Sequence, residues 1–448
     1  MSQKIISLIL IVLSATLLRF WNYEGRTTYG WDQSRDVSVL EQSLSTHQLP
    51  LLGPIVRGDT GGFYLGPLYH YLLLPIYSLT DHNPLSLVWV SILLDILVVI
   101  SLTLSLGPAT GLIWTFSSML INSSLTPWNV SLIHPWVLAV IFLTSHLTST
   151  RNIILFLFIL ASATSIHLTL IPVALALFLI SVPAMLRATR RLCDWLFYFL
   201  AIFLPQLPLI LSDLQTGGSN ARAFKDFLFV KSHKFPVALF EFVQSLVSKI
   251  GYTTSRLFVG EPYLIFGCLV FLALLVYGIK NWNTRHELST SLLIICVVIA
   301  SLIIYRGPNF AEYYLNAILV PLVVLASFAI SAWPRPLLYL TLLIIVGLNL
   351  RSLDFRTGAF TMAAKKDLMT NAATHIREGM ELRLLLPDHQ QFGFAYYLTQ
   401  LGIENDPSNH LKLYVVPASL EHVPAPEDAQ SIIYQNQVSA FRLVVFSN

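Results

Sequence analysis

The sequence predicts an all-α polytopic membrane protein that ends in a small α/β domain. Of its 448 residues, 55% are hydrophobic and only 11% are charged, whereas soluble domains carry about a quarter charged residues. The mean hydropathy of +0.67 is too high for a soluble protein, because a surface that faces water needs polar side chains. These values exclude a soluble enzyme and a disordered scaffold. A net charge of only +3 also argues against nucleic acid as a partner.

Apolar runs of suitable length predict about eleven transmembrane helices, since a bilayer core about 30 Å thick needs about 20 residues per helix. The run 152–186 is too long for one helix, and we divide it near His167 because Pro172 follows. The three cysteines show neither a disulfide framework nor a metal-binding spacing. The predicted spans are 5–20, 86–106, 109–124, 132–149, 152–168, 170–187, 194–211, 261–279, 289–305, 313–333 and 336–350.

The basic loops predict the orientation. With Lys4 in the cytoplasm, every short basic loop also lies on the cytoplasmic side, as the positive-inside rule requires. We expect a transmembrane module 1–350 in the cell (plasma or inner) membrane, with outer loops 21–85 and 212–260, and an extracytoplasmic domain 351–448. A cleaved signal peptide at the first run is the less favoured alternative, since Arg19 ends the run without a clear cleavage site. The loop residues are Arg151, Arg187, Arg190, Arg191, Lys280, Arg285 and Arg335.

The outer segments have their own patterns. Segment 37–44 has helical spacing, and 68–79 is apolar but too short to span, so both are predicted as interfacial or re-entrant helices. Segment 212–260 alternates lysines with phenylalanines, which suits either an anionic membrane surface or an ordinary amphipathic connector. The tail predicts strands at 383–386, 411–416 and 442–446 and helices at 365–378 and 392–401.

An acidic cluster lies early in the first outer loop. Asp32 and Asp36 are four residues apart, which puts them on one face of a helix, and Arg35 lies between them. A carboxylate just outside a membrane could act as a general base toward an acceptor hydroxyl. The alternative is a solvated charge cluster.

Two arginines of the outer loops, Arg57 and Arg306, are candidates for phosphate binding, because a guanidinium matches phosphate oxygens in a bidentate manner. For Arg306 the alternative is an ion pair with Glu312.

Polar residues within or near the predicted spans leave two interpretations open. Asp95 is the one acidic residue away from the ends of the predicted spans, and no arginine or lysine away from the span ends can pair with it. A bond between helices is at least as good an explanation as an ion pathway. His134 and His167 lie near outer helix ends, where packing is favoured over a role in an outer cavity.

The order of these features resembles the GT-C superfamily of integral-membrane glycosyltransferases, in particular the protein O-mannosyltransferase and lipid A aminoarabinose transferase group (glycosyltransferase family 39 and relatives). The resemblance rests on the first span ending in Arg19, the motif WDQSRD at 31–36, the helix start GPLYHY at 66–71, and Arg306 followed by EYY at 312–314. The external α/β tail completes the order, so the resemblance covers nearly the whole chain.

The resemblance implies a sugar donor linked to polyprenyl phosphate and an acceptor outside the cytoplasm, which is a protein, a lipid or a glycan. Asp32 matches the aspartate taken as the base, whereas Gln33 replaces the second carboxylate of the family motif. Gly66 replaces the phosphate-binding lysine of the family, and Arg57 could substitute for it. Arg306 matches the basic residue before the late span. Some relatives hold a divalent metal, but no clear ligand set is visible in this sequence.

The predicted mechanism has Asp32 as the base, with Arg306 and Arg57 stabilising the leaving phosphate. The expected partners are the donor, the acceptor and membrane lipids, without nucleic acid. A lipid or solute transporter, such as a flippase, is the competing class, which predicts polar residues at the midplane and broken helices. Further residues expected to line the site are Arg35, Asp36, Tyr69, His70, His167, Glu312 and Tyr313.

Overall fold

A computed structural model gives the fold. It describes residues 3–58, 61–189, 191–227, 237–305, 310–373, 381–386, 391, 393–402, 411–420, 431–438 and 440–447. Six described helices are long and apolar enough to cross a bilayer, or up to seven if one strongly bent pair counts as a single span. The predicted all-α membrane architecture is confirmed, whereas the number of about eleven crossings stays a prediction.

The N-terminal part combines one apolar helix with the elements of the first loop. The backbone N–H of Gly30 donates a 2.9 Å hydrogen bond to the side chain of Gln33, which defines the start of the third helix. The helices predicted around 37–44 and at 68–79 are both present. The elements are α1 (Gln3–Phe20), α2 (Tyr23–Arg26), α3 (Trp31–Thr46), the antiparallel hairpin β1 (Ile55–Gly58) and β2 (Gly61–Tyr64), and α4 (Leu68–Leu79).

The next helices follow the first loop along the chain. The predicted span 109–124 is broken at Ser117, whose extended backbone separates two shorter helices. The predicted division near His167 is present as a turn between two helices. The helices are α5 (Ser86–Leu106), α6 (Pro108–Phe116), α7 (Ser118–Ser124), α8 (Ile133–Thr144), α9 (Thr150–Ser162), α10 (Leu170–Ala188), α11 (Leu192–Phe203) and α12 (Leu207–Gln215).

The remaining bundle helices are α13 (Ser219–Asp226), α14 (Leu239–Val259), α15 (Leu264–Lys280), α16 (His286–Tyr305), α17 (Asn316–Ser331) and α18 (Arg335–Ser352). They include a buried central helix, α17, which packs against α6, α8, α14, α15 and α16. In the transmembrane window of α17, 78% of the residues are buried. Helix α14 lies in the segment 212–260, for which an anionic membrane surface and an amphipathic connector were both open, and it buries one apolar face and meets α15 at 86°. Gly251 and Gly267 make this crossing possible, because a Cβ on Gly267 would collide with the Gly251 carbonyl.

A buried ion pair corrects the interpretation of Asp95. The Nε of Arg19 donates a 2.6 Å hydrogen bond to Asp95, and Trp114 donates a 2.8 Å hydrogen bond to the other carboxylate oxygen. The expectation that Asp95 has no cationic partner is wrong, because Arg19 turns inward from the last turn of α1 instead of marking the membrane surface. The pair joins α1, α5 and α6, and each charge neutralises the other in a region of low dielectric.

The tail forms a four-stranded sheet with two helices. Its elements are α19 (Met362–Ala373), β3 (Glu381–Leu384), α20 (Phe394–Gln400), β4 (Leu411–Pro417), β5 (Ser431–Val438) and β6 (Phe441–Ser447). The strand order is β3-β4-β6-β5, with only the β3–β4 pair parallel. The three predicted strands are present. The edge strand β5 was missed, because its centre, Tyr434–Gln437, is largely polar. Residues 374–378 and 392 of the predicted helices lie outside the described residues.

The tail packs against the first loop. Tyr29 shares a hydrophobic core with Met362 and Phe394, and the backbone N–H of Met362 donates a 3.1 Å hydrogen bond to the carbonyl of Thr27. The buried Lys365 ammonium donates to the carbonyl of Tyr29 at 3.1 Å. These contacts hold the segment just before α3, and so support the acidic motif from behind.

Candidate active site

A cavity of about 570 Å³ lies where the first loop, the turn before α10 and the start of the α17 region meet. Asp32 and Arg35 are its only charged lining residues among those that the structure describes. The polar groups lie among many rings, as is usual in ligand sites. The aromatic lining residues are Trp31, Trp128, Phe224, Phe227, Tyr305, Tyr313 and Tyr314.

Arg35 positions the carboxylate of Asp32 at the cavity wall. Its Nη1 donates a 2.7 Å hydrogen bond to Asp32, whose side chain is 38% exposed. The Nε and Nη2 of Arg35 both donate to Asp36, at 2.9 and 2.6 Å. One guanidinium therefore binds two carboxylates. Its Cζ also lies over the ring of Trp31, 5.0 Å from the ring centroid. The acidic cluster is thus built into the fold and is not a solvated surface patch.

Asp36, Tyr69 and His70 do not line the cavity, contrary to expectation. All three are fully buried behind it, because α4 packs against the inner face of α3. His70 lies with Nε2 3.1 Å from the same Asp36 oxygen that accepts from Arg35. Burial also raises the pKa of the Tyr69 phenol, which keeps it neutral. These residues support the site from behind without facing its interior.

Gln33 lies where the resemblance expects a second carboxylate, and its side chain has a structural role in this protein. Its side-chain amide donates a 2.7 Å hydrogen bond to the carbonyl of Pro127, next to the cavity residue Trp128. An ionised glutamate has no hydrogen to donate at this position. The amide therefore ties the start of α3 to the segment 128–130, which forms another part of the wall.

Gly66 lies at the position where the resemblance expects a phosphate-binding lysine. Its backbone N–H donates to the carbonyl of Thr164 at 3.3 Å. A Cβ added to Gly66 would collide with the side chain of Ser165. This close approach leaves no room for a lysine, so any cation for a phosphate comes from elsewhere in the chain.

His167 lines the cavity, although packing was the favoured interpretation. Its Nδ1 accepts a 3.3 Å hydrogen bond from the backbone N–H of Thr169 and lies 2.9 Å from the Thr169 hydroxyl. Its ring meets the rings of Tyr313 and Tyr314 at 5.7 and 5.5 Å between centroids. Burial lowers the pKa of His167 to about 4, so the imidazole is neutral at physiological pH.

Tyr313 lines the cavity, whereas its neighbour Glu312 does not. Glu312 instead accepts a 2.6 Å hydrogen bond from Nη1 of Arg256 in α14. The alternative pairing of Glu312 with Arg306 cannot be compared directly, because Arg306 lies outside the described residues. Tyr305, its sequence neighbour, lines the cavity.

The structure describes the position of the Arg57 backbone. It lies in β1, opposite Gly62 of the hairpin, and directly after the cavity residues Ile55 and Val56. Its side chain lies outside the described part of the structure. The hairpin therefore brings this residue to the neighbourhood of the cavity, and its role remains a prediction.

Metal ligands are not grouped in the described part of the chain. Within it, no three His, Cys, Asp or Glu side chains lie close enough together to hold a metal ion. The carboxylates nearest the cavity, Asp32 and Asp36, are instead bound by Arg35.

The aromatic wall is the main part of the site that sequence reasoning missed. Trp128 packs edge-on against Tyr313 at 5.0 Å, although 185 positions separate them in the chain. Asn129 also lines the cavity, and its amide donates a 2.6 Å hydrogen bond to the carbonyl of Ile166. The sequence does contain a signal for this wall. Trp31 and Tyr314 are aromatic residues directly beside the candidate residues Asp32 and Tyr313.

The apolar bundle, the first loop with its hairpin, and the docked α/β tail make up a polytopic membrane fold. Two solved structures with this fold are crystal structures of ArnT from Cupriavidus metallidurans, in the apo state (TM-score 0.61) and bound to undecaprenyl phosphate (TM-score 0.59). Each is 12% identical and covers 98% of this chain and 97% of the ArnT chain. No protein-family model and no curated protein matches the sequence. The expected resemblance is confirmed as a likeness of fold.

Proposed function

We propose that the protein is a glycosyltransferase that moves a sugar from a polyprenyl-phosphate carrier to an acceptor hydroxyl on the extracytoplasmic side of the inner membrane. The observation that carries the proposal is the aromatic cavity beside Asp32, in a chain with the fold of ArnT over nearly its whole length. One of the ArnT structures is bound to undecaprenyl phosphate, which supports the same class of carrier for this chain.

Asp32 is the proposed general base. Its carboxylate is partly exposed at the cavity wall, and it shares the Arg35 guanidinium with a second carboxylate. In the proposed step, the acceptor oxygen loses its proton to Asp32 as it attacks the anomeric carbon.

The leaving group is the polyprenyl phosphate. The new C–O bond forms as the bond between the anomeric carbon and the phosphate oxygen breaks, with inversion through an oxocarbenium-like state. The electron pair of the broken bond stays on the phosphate. Arg306 and Arg57 are proposed to stabilise that charge, since Gly66 leaves no room for a lysine and Arg35 is occupied by carboxylates.

The cavity lining supports a sugar as the transferred group. Rings such as Trp128 and Tyr313 offer apolar faces that suit the C–H surface of a sugar ring, and polar groups at the wall suit its hydroxyls. The proposed sugar is a hexose or a pentose. The proposed acceptor is a hydroxyl of a protein, a lipid or a glycan.

The transporter alternative loses its main support. Asp95, the acidic residue that favoured an ion pathway, is paired with Arg19 and is bonded to Trp114. A compensated and fully bonded carboxylate of this kind holds helices together, so it leaves no open site for a transported ion.

Asp32→Asn tests the proposal in proteoliposomes supplied with undecaprenyl-phosphate hexoses and pentoses that carry a radiolabel in the sugar. We expect wild-type protein to transfer label to extracted envelope lipids or glycans, and Asp32→Asn to lose this activity while folding normally. Asp81→Asn is the matched control, because Asp81 is an exposed acid in the same loop and lies outside the cavity. Full turnover by Asp32→Asn, or movement of intact donor across the bilayer without release of the sugar, would contradict the proposal.

A further inference from the structure

The ring of His167 is held in one orientation. Thr169, at the start of α10, binds its Nδ1 through a backbone N–H at 3.3 Å, and the Thr169 hydroxyl lies 2.9 Å away. On the other side, Tyr313 meets the imidazole edge-on at 88°, and Tyr314 packs against it at 48°. Contacts from two separate parts of the chain therefore determine where the second nitrogen points.

These contacts also select the tautomer. A nitrogen that accepts from a backbone N–H carries no hydrogen, so the neutral ring holds its hydrogen on Nε2. Burial lowers the pKa of His167 to about 4, and the ring stays neutral under physiological conditions. His167 is therefore an uncharged donor.

The Nε2 group has no hydrogen-bond partner among the described residues, although the whole side chain is only 8% exposed. The residue lines the cavity, together with Asp32 and Tyr313. The Nε2 atom is not among the fully buried polar atoms that lack a partner, so it is accessible from the cavity. It is therefore expected to bind an oxygen atom that a ligand brings into the cavity.

We propose that Nε2 of His167 donates a hydrogen bond to an oxygen of the transferred sugar, and that Trp128, Tyr313 and Tyr314 form the rest of this sugar subsite. The inference rests on the proposed function and names the group that positions the sugar opposite Asp32. A neutral donor suits a hydroxyl or ring oxygen, whereas a phosphate is bound best by cations. The rings beside His167 add an apolar surface, which a sugar ring can use and a phosphate cannot.

The test compares two probes with the full-length protein in detergent. The first probe is undecaprenyl phosphate. The second is the undecaprenyl-phosphate monosaccharide that binds wild-type protein most tightly among a panel of such compounds. Native mass spectrometry measures the binding of each probe. His167→Phe keeps the aromatic contacts but removes the donor, and His167→Gln keeps an N–H donor. His146→Phe is the control, because His146 is exposed, lies in the loop after α8 and is absent from the cavity wall.

We expect His167→Phe to weaken binding of the sugar-linked probe by about 2- to 10-fold, the value of one hydrogen bond. Binding of undecaprenyl phosphate should stay unchanged, which also shows that the variant is folded. His167→Gln should recover part of the loss, and His146→Phe should behave as wild type.

Three results would overturn the sugar subsite. These are an equal loss for both probes, no loss for either probe, and wild-type protein that gains no affinity from any attached sugar. Failure of the proposed function is distinguishable from these results. A selective loss in His167→Phe, with no transfer by wild-type protein, would keep the subsite and reject the reaction. Wild-type protein that binds neither probe would reject both.

Discussion

The guanidinium of Arg35 donates two hydrogen bonds to a single oxygen of the buried Asp36, from Nε at 2.9 Å and from Nη2 at 2.6 Å. The third nitrogen, Nη1, donates a 2.7 Å hydrogen bond to Asp32 at the cavity wall. The direction of the bond to Asp32 is therefore set from inside the protein, where Asp36 is fully buried and His70 lies against the same oxygen.

Arg35→Gln should reduce both stability and transfer. The change leaves Asp36 buried without a cation, which costs about 3–5 kcal/mol when one partner of a buried pair is removed. Asp32 also loses the contact that orients it. Thermal unfolding in detergent measures the first effect and the sugar-transfer assay the second. The double variant Arg35→Gln/Asp36→Asn should recover most of the stability and stay inactive, so full activity in either variant would reject the positioning role of Arg35.

Gln33→Glu introduces the carboxylate that the resemblance expects at this position, and we expect it to destabilise this protein. The ionised side chain cannot donate to the carbonyl of Pro127, and it adds a third acid near Asp32 and Asp36. The expected cost is about 1–3 kcal/mol of unfolding free energy, measured by chemical denaturation. Gln42→Glu makes the same change on an exposed position of α3 and serves as the control. Unchanged stability with higher transfer would show that the position is catalytic rather than structural.

Arg57→Ala and Arg306→Ala should each weaken use of the donor more than use of the acceptor. A charge-assisted hydrogen bond to phosphate contributes roughly tenfold or more, so kcat/KM for the donor should fall by at least this factor. Arg222→Ala is the control, because Arg222 is exposed on α13 and donates to the Gly217 carbonyl. If kcat and KM for the donor are unchanged in either test variant, that arginine does not bind the phosphate.

Docking of the tail should depend on pH through Lys365. Burial lowers the pKa of this ammonium to about 8 in the folded protein, whereas an unfolded lysine titrates near 10.4. Between these values the unfolded chain binds more protons, so the contribution of Lys365 to stability rises with pH. Thermal unfolding from pH 7 to 9.5 should show a rise in wild-type stability relative to Lys365→Met. Parallel pH profiles for the two proteins would show that Lys365 is not titrating in this range.

Local sequence determined the elements of this protein. Helix α4 occupies the predicted range 68–79, and the three apolar tail strands were all predicted near their observed positions. Runs of apolar residues suffice for such predictions, because the apolar pattern that marks a helix or a strand is contained within a few neighbouring residues. Strand β5 was not predicted, because its polar centre lies at the edge of the sheet, although it pairs with β6, the next strand along the chain.

Only the tertiary structure decided which polar groups meet. Arg19 and Asp95 are 76 positions apart and were assigned to different roles, yet they form one buried pair. The cavity likewise joins Asp32 with His167 and Tyr313, which no local spacing relates. Hydropathy along the chain determines which segments enter the membrane, because transfer from water is a property of each segment alone. The contact between two side chains of different helices depends on how those helices pack, and this information is shared among distant parts of the sequence.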